Sequence, residues 1–402
     1  MKLSRVSFLI LIFALVTGCG GSGGSGSSSS VGGGTPPAAT ANNVLSITVN
    51  GPGLNNSYLN EPCVSVTICT PGTTNCQTIN GILLDTGSSG LRIFRQALSV
   101  PLTQIASGSG SLADLVLYAD GSCDWGPVQM ASVILGNEPA VEVPIQVIDH
   151  TFGTISGQCV FPDQSPTDTG YNGILGVGLF VHDCGSDCIN SIPPIPIYYS
   201  CSGSNCPGTT VALDSQVQNP VALLPQDNNG VIVQLPGIPA GGSPSVKGSL
   251  VLGIGTQSNN VPSGVTAYGA DPQIGDFTTN FNGTSFTSFI DSGSNGLFFP
   301  STSALPDCPG SPPISDWFCP SSTVSLSATN TGASGSPSGA VSFQIGNFDS
   351  LVINSSNNVF DDIGGNFPDG FDWGLPFFFG RSVFVGIEGK GSSLGFGPYW
   401  AY

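Results

Sequence analysis

The chain has 402 residues, among them 57 glycines and 32 prolines, and carries 7 basic against 25 acidic residues for a formal net charge of −18. So acidic a chain excludes nucleic acid and polybasic lipid contact as partners. Its glycine and proline content also excludes a mainly helical protein.

From the amino terminus, Lys2 and Arg5 precede an apolar run from Phe8 to Val16, too short to span a bilayer comfortably. Residues 1–18 therefore read as an export signal. Leu15-Val-Thr-Gly-Cys19 resembles the lipobox of bacterial lipoproteins, with Cys19 as the lipidated residue; a plain secretory signal is the alternative. Residues 19–43 are a Gly/Ser-rich tether. Removal of the signal leaves five basic residues against 25 acids, which suits acidic surroundings.

The remaining chain alternates short strands with turns. Val44 to Val49, Cys63 to Cys69 and Val231 to Leu235 read as strands between Gly, Pro, Asn and Ser clusters. Next, the apolar Ile82-Leu-Leu84 runs into Asp85-Thr86-Gly87-Ser88-Ser-Gly-Leu91. Phe289-Ile290 leads in the same way into Asp291-Ser292-Gly293-Ser294-Asn-Gly-Leu297. A carboxylate ending a buried strand is costly unless hydrogen bonds or a partner hold it. The doubled segment predicts two pseudo-equivalent β lobes, 44–225 and 226–402, each presenting one aspartate to a shared site. Between the copies, Leu115-Val-Leu-Tyr118-Ala-Asp120-Gly121-Ser122 reads as a strand entering a hairpin tip, with its return through Gly126 to Leu135.

Twelve cysteines fit an oxidising compartment. Short spacings suggest the pairs Cys69–Cys76, Cys184–Cys188, Cys201–Cys206 and Cys308–Cys319, with Cys123–Cys159 a weaker expectation and Cys63 left over. His182-Asp-Cys184 with Cys188 could be a zinc fragment, but a disulfide is the better reading of two cysteines in an exported chain. No metal or other cofactor is expected. With only His150 and His182, a metal hydrolase lacks ligands, and the one Gly-x-Ser-x-Gly match falls in the tether. A glycosidase also uses two carboxylates; the repeated Thr/Ser-Gly-Ser context argues against it.

In this ordered set the chain resembles the pepsin-like aspartic peptidases over most of residues 44–402. The carriers are the two aspartate motifs, Tyr118-Ala-Asp-Gly-Ser at the flap tip, Gly173-Ile-Leu-Gly-Val-Gly178, Gly248 to Thr256, and Phe379 to Gly397. The resemblance implies an all-β fold, a bilobal double β-barrel with its site in the cleft. It implies an endopeptidase in which Asp85 and Asp291 share a proton and activate water. Thr86 and Ser292 would tie the two loops together, with Gly87 and Gly293 in the turns and Ser88 and Ser294 on the outer carboxylate oxygens. Tyr118, Asp120 and Gly121 would form the flap. A polypeptide substrate, a monomer and a lipid anchor in the bacterial envelope are the matching expectations. A binding or adhesion lipoprotein on the same fold is the alternative from a different class.

Two departures stand out. Arg92 occupies the position of the family's tryptophan and is expected at the base of the Tyr118 hairpin, against Tyr118 or Asp120, or else in solvent beside Arg95. Pro376 falls where the glycine of the second apolar-apolar-Gly element is expected.

Overall fold

The computed structural model describes residues 41–50, 58–311 and 314–402. Cys19, the signal and most of the tether lie outside them. Strand makes up 43% and helix 8%, so the all-β expectation holds, and the strands form one closed six-stranded barrel and one half-barrel.

In chain order the first half contains β1 (Val44–Val49), β2 (Pro62–Cys69), β3 (Cys76–Asp85), β4 (Ser89–Phe94), β5 (Gly110–Leu117), β6 (Ser122–Ile134), β7 (Val141–Ile148) and β8 (Gly173–Val177). The middle holds β9 (Gly230–Leu235), β10 (Val246–Leu252) and β11 (Ala267–Gly269). The second half contains β12 (Phe277–Phe281), β13 (Thr284–Ile290), β14 (Leu297–Phe299), β15 (Val324–Thr331), β16 (Ser338–Ile345), β17 (Gly364–Asn366) and β18 (Phe371–Trp373). β19 (Arg381–Gly386) and β20 (Tyr399–Ala401) close the chain.

The barrel runs β2-β3-β8-β4-β7-β6 and returns to β2. β6 is long enough to serve twice. Its second half lies in the barrel and its first half pairs with β5 in a projecting hairpin. The half-barrel runs β16-β15-β12-β13-β18-β14-β17. A third layer, β11-β20-β19-β9-β10-β1, hydrogen-bonds the start of the described chain to its end.

The two halves repeat one pairing scheme. β3 runs parallel to β8, which is antiparallel to β4, which is parallel to β7. Correspondingly, β13 runs parallel to β18, which is antiparallel to β14, which is parallel to β17. Parallel strands covered on both faces favour apolar side chains, and β4 and β8 are buried at every position, with Ser89 and Arg92 the polar exceptions on β4. The first barrel is filled mainly by Val, Ile and Leu, including Val66, Ile68, Leu84 and Ile145. Aromatic rings fill the half-barrel, with Phe299 and Phe371 stacked at 5.0 Å between centroids and Trp373 4.5 Å from Phe371.

The register corrects the expectation about Pro376. Gly176 lies beside Asp85, and Ile290 lies beside Trp373. One step further, the Asp291 amide donates to the Trp373 carbonyl at 3.1 Å. Gly374 is therefore the counterpart of Gly176, and Pro376 falls in the short turn Leu375–Phe378 beyond it. Both glycines are required by close approach. A β-carbon on Gly176 would lie 2.8 Å from Ser88 Oγ, and one on Gly374 only 2.0 Å from the Gly296 carbonyl oxygen.

Gly374→Ala should cost about 1–3 kcal/mol through overpacking, read from urea denaturation. Gly157→Ala, where a β-carbon meets nothing within 4 Å, should stay within about 0.5 kcal/mol of the parent.

Candidate active site

The two aspartate loops meet tip to tip. Asp85 ends β3 and Asp291 follows β13, so each carboxyl leaves a buried strand at the line where the halves join. The Thr86 amide donates to Ser292 Oγ at 3.1 Å, and the Ser292 amide donates to Thr86 Oγ1 at 2.9 Å. Each hydroxyl then donates onward across the joint. Thr86 Oγ1 reaches the Ile290 carbonyl at 2.9 Å, and Ser292 Oγ reaches the Leu84 carbonyl at 2.7 Å. Four backbone groups are satisfied by two side chains.

This lock brings the carboxyls together. Gly87 and Gly293 donate their amides to the inner oxygens of Asp85 and Asp291, both at 2.7 Å. Ser88 donates its hydroxyl to Asp85 Oδ2, and Ser294 donates to Asp291 Oδ2 at 2.9 Å. A β-carbon on Gly293 would sit 3.0 Å from Asp85 Oδ1 and 3.1 Å from Asp291 Oδ1. Both inner oxygens thus crowd one point. Burial first, then the charge of Asp85, holds Asp291 well above the ordinary carboxylate range. The pair is built to retain a proton.

The hairpin of β5 and β6 carries Tyr118 at its turn, closed by the Gly121 amide donating to the Tyr118 carbonyl at 3.0 Å. Gly121 has φ +90°, a conformation that favours glycine. Asp120 is exposed at the tip and accepts from the Ser122 amide and hydroxyl. The Tyr118 hydroxyl turns inward to Asp124 Oδ2 at 2.7 Å. A second tyrosine near the dyad is one that sequence reasoning missed. Tyr58 donates its hydroxyl to the Gly293 carbonyl at 2.7 Å. Burial, and then the charges of Asp120 and Asp291, push its phenol well above the usual range. Tyr58 stands in no repeat or motif, so only the folded chain places it over the second aspartate loop.

Arg92 lies at the base of the Tyr118 hairpin, as expected, beside Asp114 and with its charge acting on Tyr118, but its bonded partners differ from those expected. It is 1% exposed, so it does not lie in solvent beside Arg95, which pairs separately with Asp149. Nor do the hydrogen bonds and ion pairs of Arg92 go to Tyr118 or Asp120. Its guanidinium lies 3.3 Å from Asp183 and 3.8 Å from Asp114, and donates to the Ser89 carbonyl at 2.9 Å. Asp114 and Asp124, both fully buried, sit on the two arms of the hairpin. A lone buried cation needs a charged partner, and Asp183 and Asp114 outcompete an exposed tip.

One cation cannot neutralise this many carboxyls, so protons must. Burial, then the Asp183 charge, holds Asp114 well above the carboxylate range. Asp183 itself is raised to about 6 by burial, which Arg92 and Tyr198 oppose. Burial, then the Asp124 charge, raises Asp163 to about 9, while Asp124 is raised to about 6. In each pair the two carboxyls cannot readily ionise together.

All five expected disulfides are present. Cys184 and Cys188 are bonded to each other, and among the described residues Cys63 stays free and buried. Such bridges place the folded region in an oxidising, extracytoplasmic compartment. No described helix is long and apolar enough to cross a membrane. A cavity of about 360 Å³ is lined by Phe343, Phe377, Arg381, Asp361, Trp373 and Leu297, the last residue of the second aspartate segment.

The chain belongs to the family described as proteins of unknown function DUF3443, whose model matches residues 39–402. No curated protein matches the sequence.

Ser292→Ala should cost about 1–3 kcal/mol, because it leaves the Thr86 amide and the Leu84 carbonyl buried without partners; denaturant titration measures this. For the hairpin cluster, carboxyls with raised folded values bind more protons than the unfolded chain between about pH 4 and pH 9. Stability should therefore fall as pH rises through this window. Asp163→Asn should flatten the decline of the melting midpoint between pH 5 and pH 8.5.

Proposed function

We propose that the protein is an aspartic endopeptidase in which Asp85 and Asp291 hydrolyse peptide bonds through an activated water. The observation that carries this reading is the convergence of two identically supported carboxyls at one point. Two carboxyls that close cannot both ionise easily. A proton-sharing pair can supply base and acid in the same step.

In that step Asp85 takes a proton from water as the water oxygen bonds to the scissile carbonyl carbon. Asp291 delivers its proton to the carbonyl oxygen. When the C–N bond breaks, the leaving nitrogen takes the proton from Asp85, and the gem-diol hydroxyl returns one to Asp291. The dyad ends as it began, with no covalent intermediate. Ser88 and Ser294 hold the outer oxygens so that the inner ones face the water. The pepsin-like resemblance supports the same roles and makes the Tyr118 hairpin a flap over an extended polypeptide.

Lipidation at Cys19 would anchor this catalytic region to the bacterial envelope through the tether, as a monomer facing polypeptide substrates.

The test is full-length protein, purified in detergent, incubated with denatured casein and a peptide library from pH 2.5 to pH 8. Cleavage is expected on the acidic side. Asp85→Asn and Asp291→Asn should each lower kcat by at least about 10²–10⁴-fold, the range of general acid–base catalysis. A wild-type protein without cleavage across that range, or an Asp→Asn variant with undiminished cleavage, would overturn the reading.

A further inference from the structure

The pseudo-symmetry of the halves breaks at one chemically consequential position. Ile174 on β8 lies beside Leu83, two residues before Asp85. The matching place on β18 is Asp372, beside Phe289 and two residues before Asp291. A carboxyl stands where the first half has an aliphatic side chain. It is 5% exposed, and its Oδ1 is buried without a hydrogen-bond partner.

Asp372 is also placed to reach the dyad. The Ser294 carbonyl accepts the Leu375 amide at 2.7 Å just beyond β18, which sets Ser294 beside the strand of Asp372 and lets its hydroxyl act on that carboxyl; in the structure the hydroxyl donates to Asp291 Oδ2 at 2.9 Å. A serine hydroxyl has one hydrogen to give. Asp291 and Asp372 thus compete for a single donor. The titratable groups that act on Asp372 are Asp291 on the adjoining loop and Asp85 from the first half. The strands on either side bring Phe289 and Phe298 to the facing positions, and among the described residues no ion pair reaches Asp372.

We propose that Asp372 is a positioning residue for the aspartate dyad, and that its own protonation decides which carboxyl the Ser294 hydroxyl serves. When protonated, Asp372 donates its hydrogen to Ser294 Oγ, and Ser294 donates to Asp291 as observed. When Asp372 releases that proton to solvent, its carboxylate becomes the stronger acceptor. The hydroxyl then turns away from Asp291, and a third negative charge appears behind the pair. Burial lifts the Asp372 carboxyl to about 8, which keeps the first arrangement in force across acidic and neutral pH. The inference rests on the dyad reading above for its catalytic meaning, but the proton linkage can be measured without turnover.

The experiment is a ¹³C-carboxyl titration of aspartate-labelled, full-length protein in detergent, with Asp291→Asn and Asp372→Asn identifying the two resonances. Asp372 is expected to titrate far above the ordinary carboxylate range, and Asp291 to show an additional step at the same pH. Asp372→Asn should abolish that step and Asp372→Glu should restore it. Ser294→Ala should move the Asp372 midpoint higher, because its carboxylate loses a donor. An ordinary Asp372 midpoint, a step in Asp291 that survives Asp372→Asn, or a midpoint unmoved by Ser294→Ala would each overturn the proposal. Peptide cleavage assayed on the same samples separates the two ideas. A wild type that titrates as expected without cleaving refutes the peptidase reading alone.

Discussion

The centre of this molecule depends on a crossed exchange of hydrogen bonds between Thr86 and Ser292. Each hydroxyl accepts an amide from the opposing loop and donates to a carbonyl preceding the opposing aspartate. A buried amide or carbonyl without a partner costs about 1–3 kcal/mol, so the exchange is strongly favoured over separation of the loops. It also leaves little freedom in the distance between the carboxyls, since each is one residue from a locked position. The electrostatic coupling of Asp85 and Asp291 is therefore a consequence of backbone hydrogen bonding. Their mutual repulsion is held in place by groups that carry no charge.

Around that symmetrical lock the two halves differ. The first half supplies a projecting hairpin and, beneath it, a cluster of acids around the buried guanidinium of Arg92. The second supplies a dense aromatic core, with Phe299, Phe371 and Trp373 packed behind its aspartate, and the buried carboxyl of Asp372 on the other face of the strand that carries Phe371 and Trp373. Such a difference has a physical logic. A proton shared between two equivalent carboxyls has no preferred home, whereas unequal surroundings give it one. Burial and the charges nearby hold Asp291 high, and general acid–base chemistry needs that inequality.

Much of this could be read from the chain before folding. The aspartate loops were legible because each is local and the two copies repeat the same residues after apolar strands. The hairpin was legible through Tyr118 to Ser122, and four of the five disulfides through separations of 4 to 11 residues. What escaped depends on distant pairing. Tyr58 meets a carbonyl 235 residues away, and Arg92 meets Asp183 across 91 residues, with no local pattern to announce either. Gly374 was hidden for a related reason. Its role follows from sheet register, and Pro376 two residues later drew the alignment to itself. Asp372 was obscured with it, because a carboxyl in an apolar run looks like a turn until its strand is placed beside β13.

The disulfide between Cys123 and Cys159 has a consequence for the acids beside it. Cys123 directly precedes Asp124, and the Asp163 amide donates to the Cys123 carbonyl at 2.9 Å, so the bridge fastens together the two segments that carry this pair of acids. Two carboxyls joined in this way meet at an effective concentration set by the covalent loop, not by the stability of the surrounding fold. Ionisation cannot be relieved by their drifting apart. The repulsion must instead be absorbed by the softer contacts nearby, and the nearest of these is the hydrogen bond from Tyr118 to Asp124. A buried bridge beside the hairpin turn thereby directs an electrostatic load onto the Tyr118 hydroxyl.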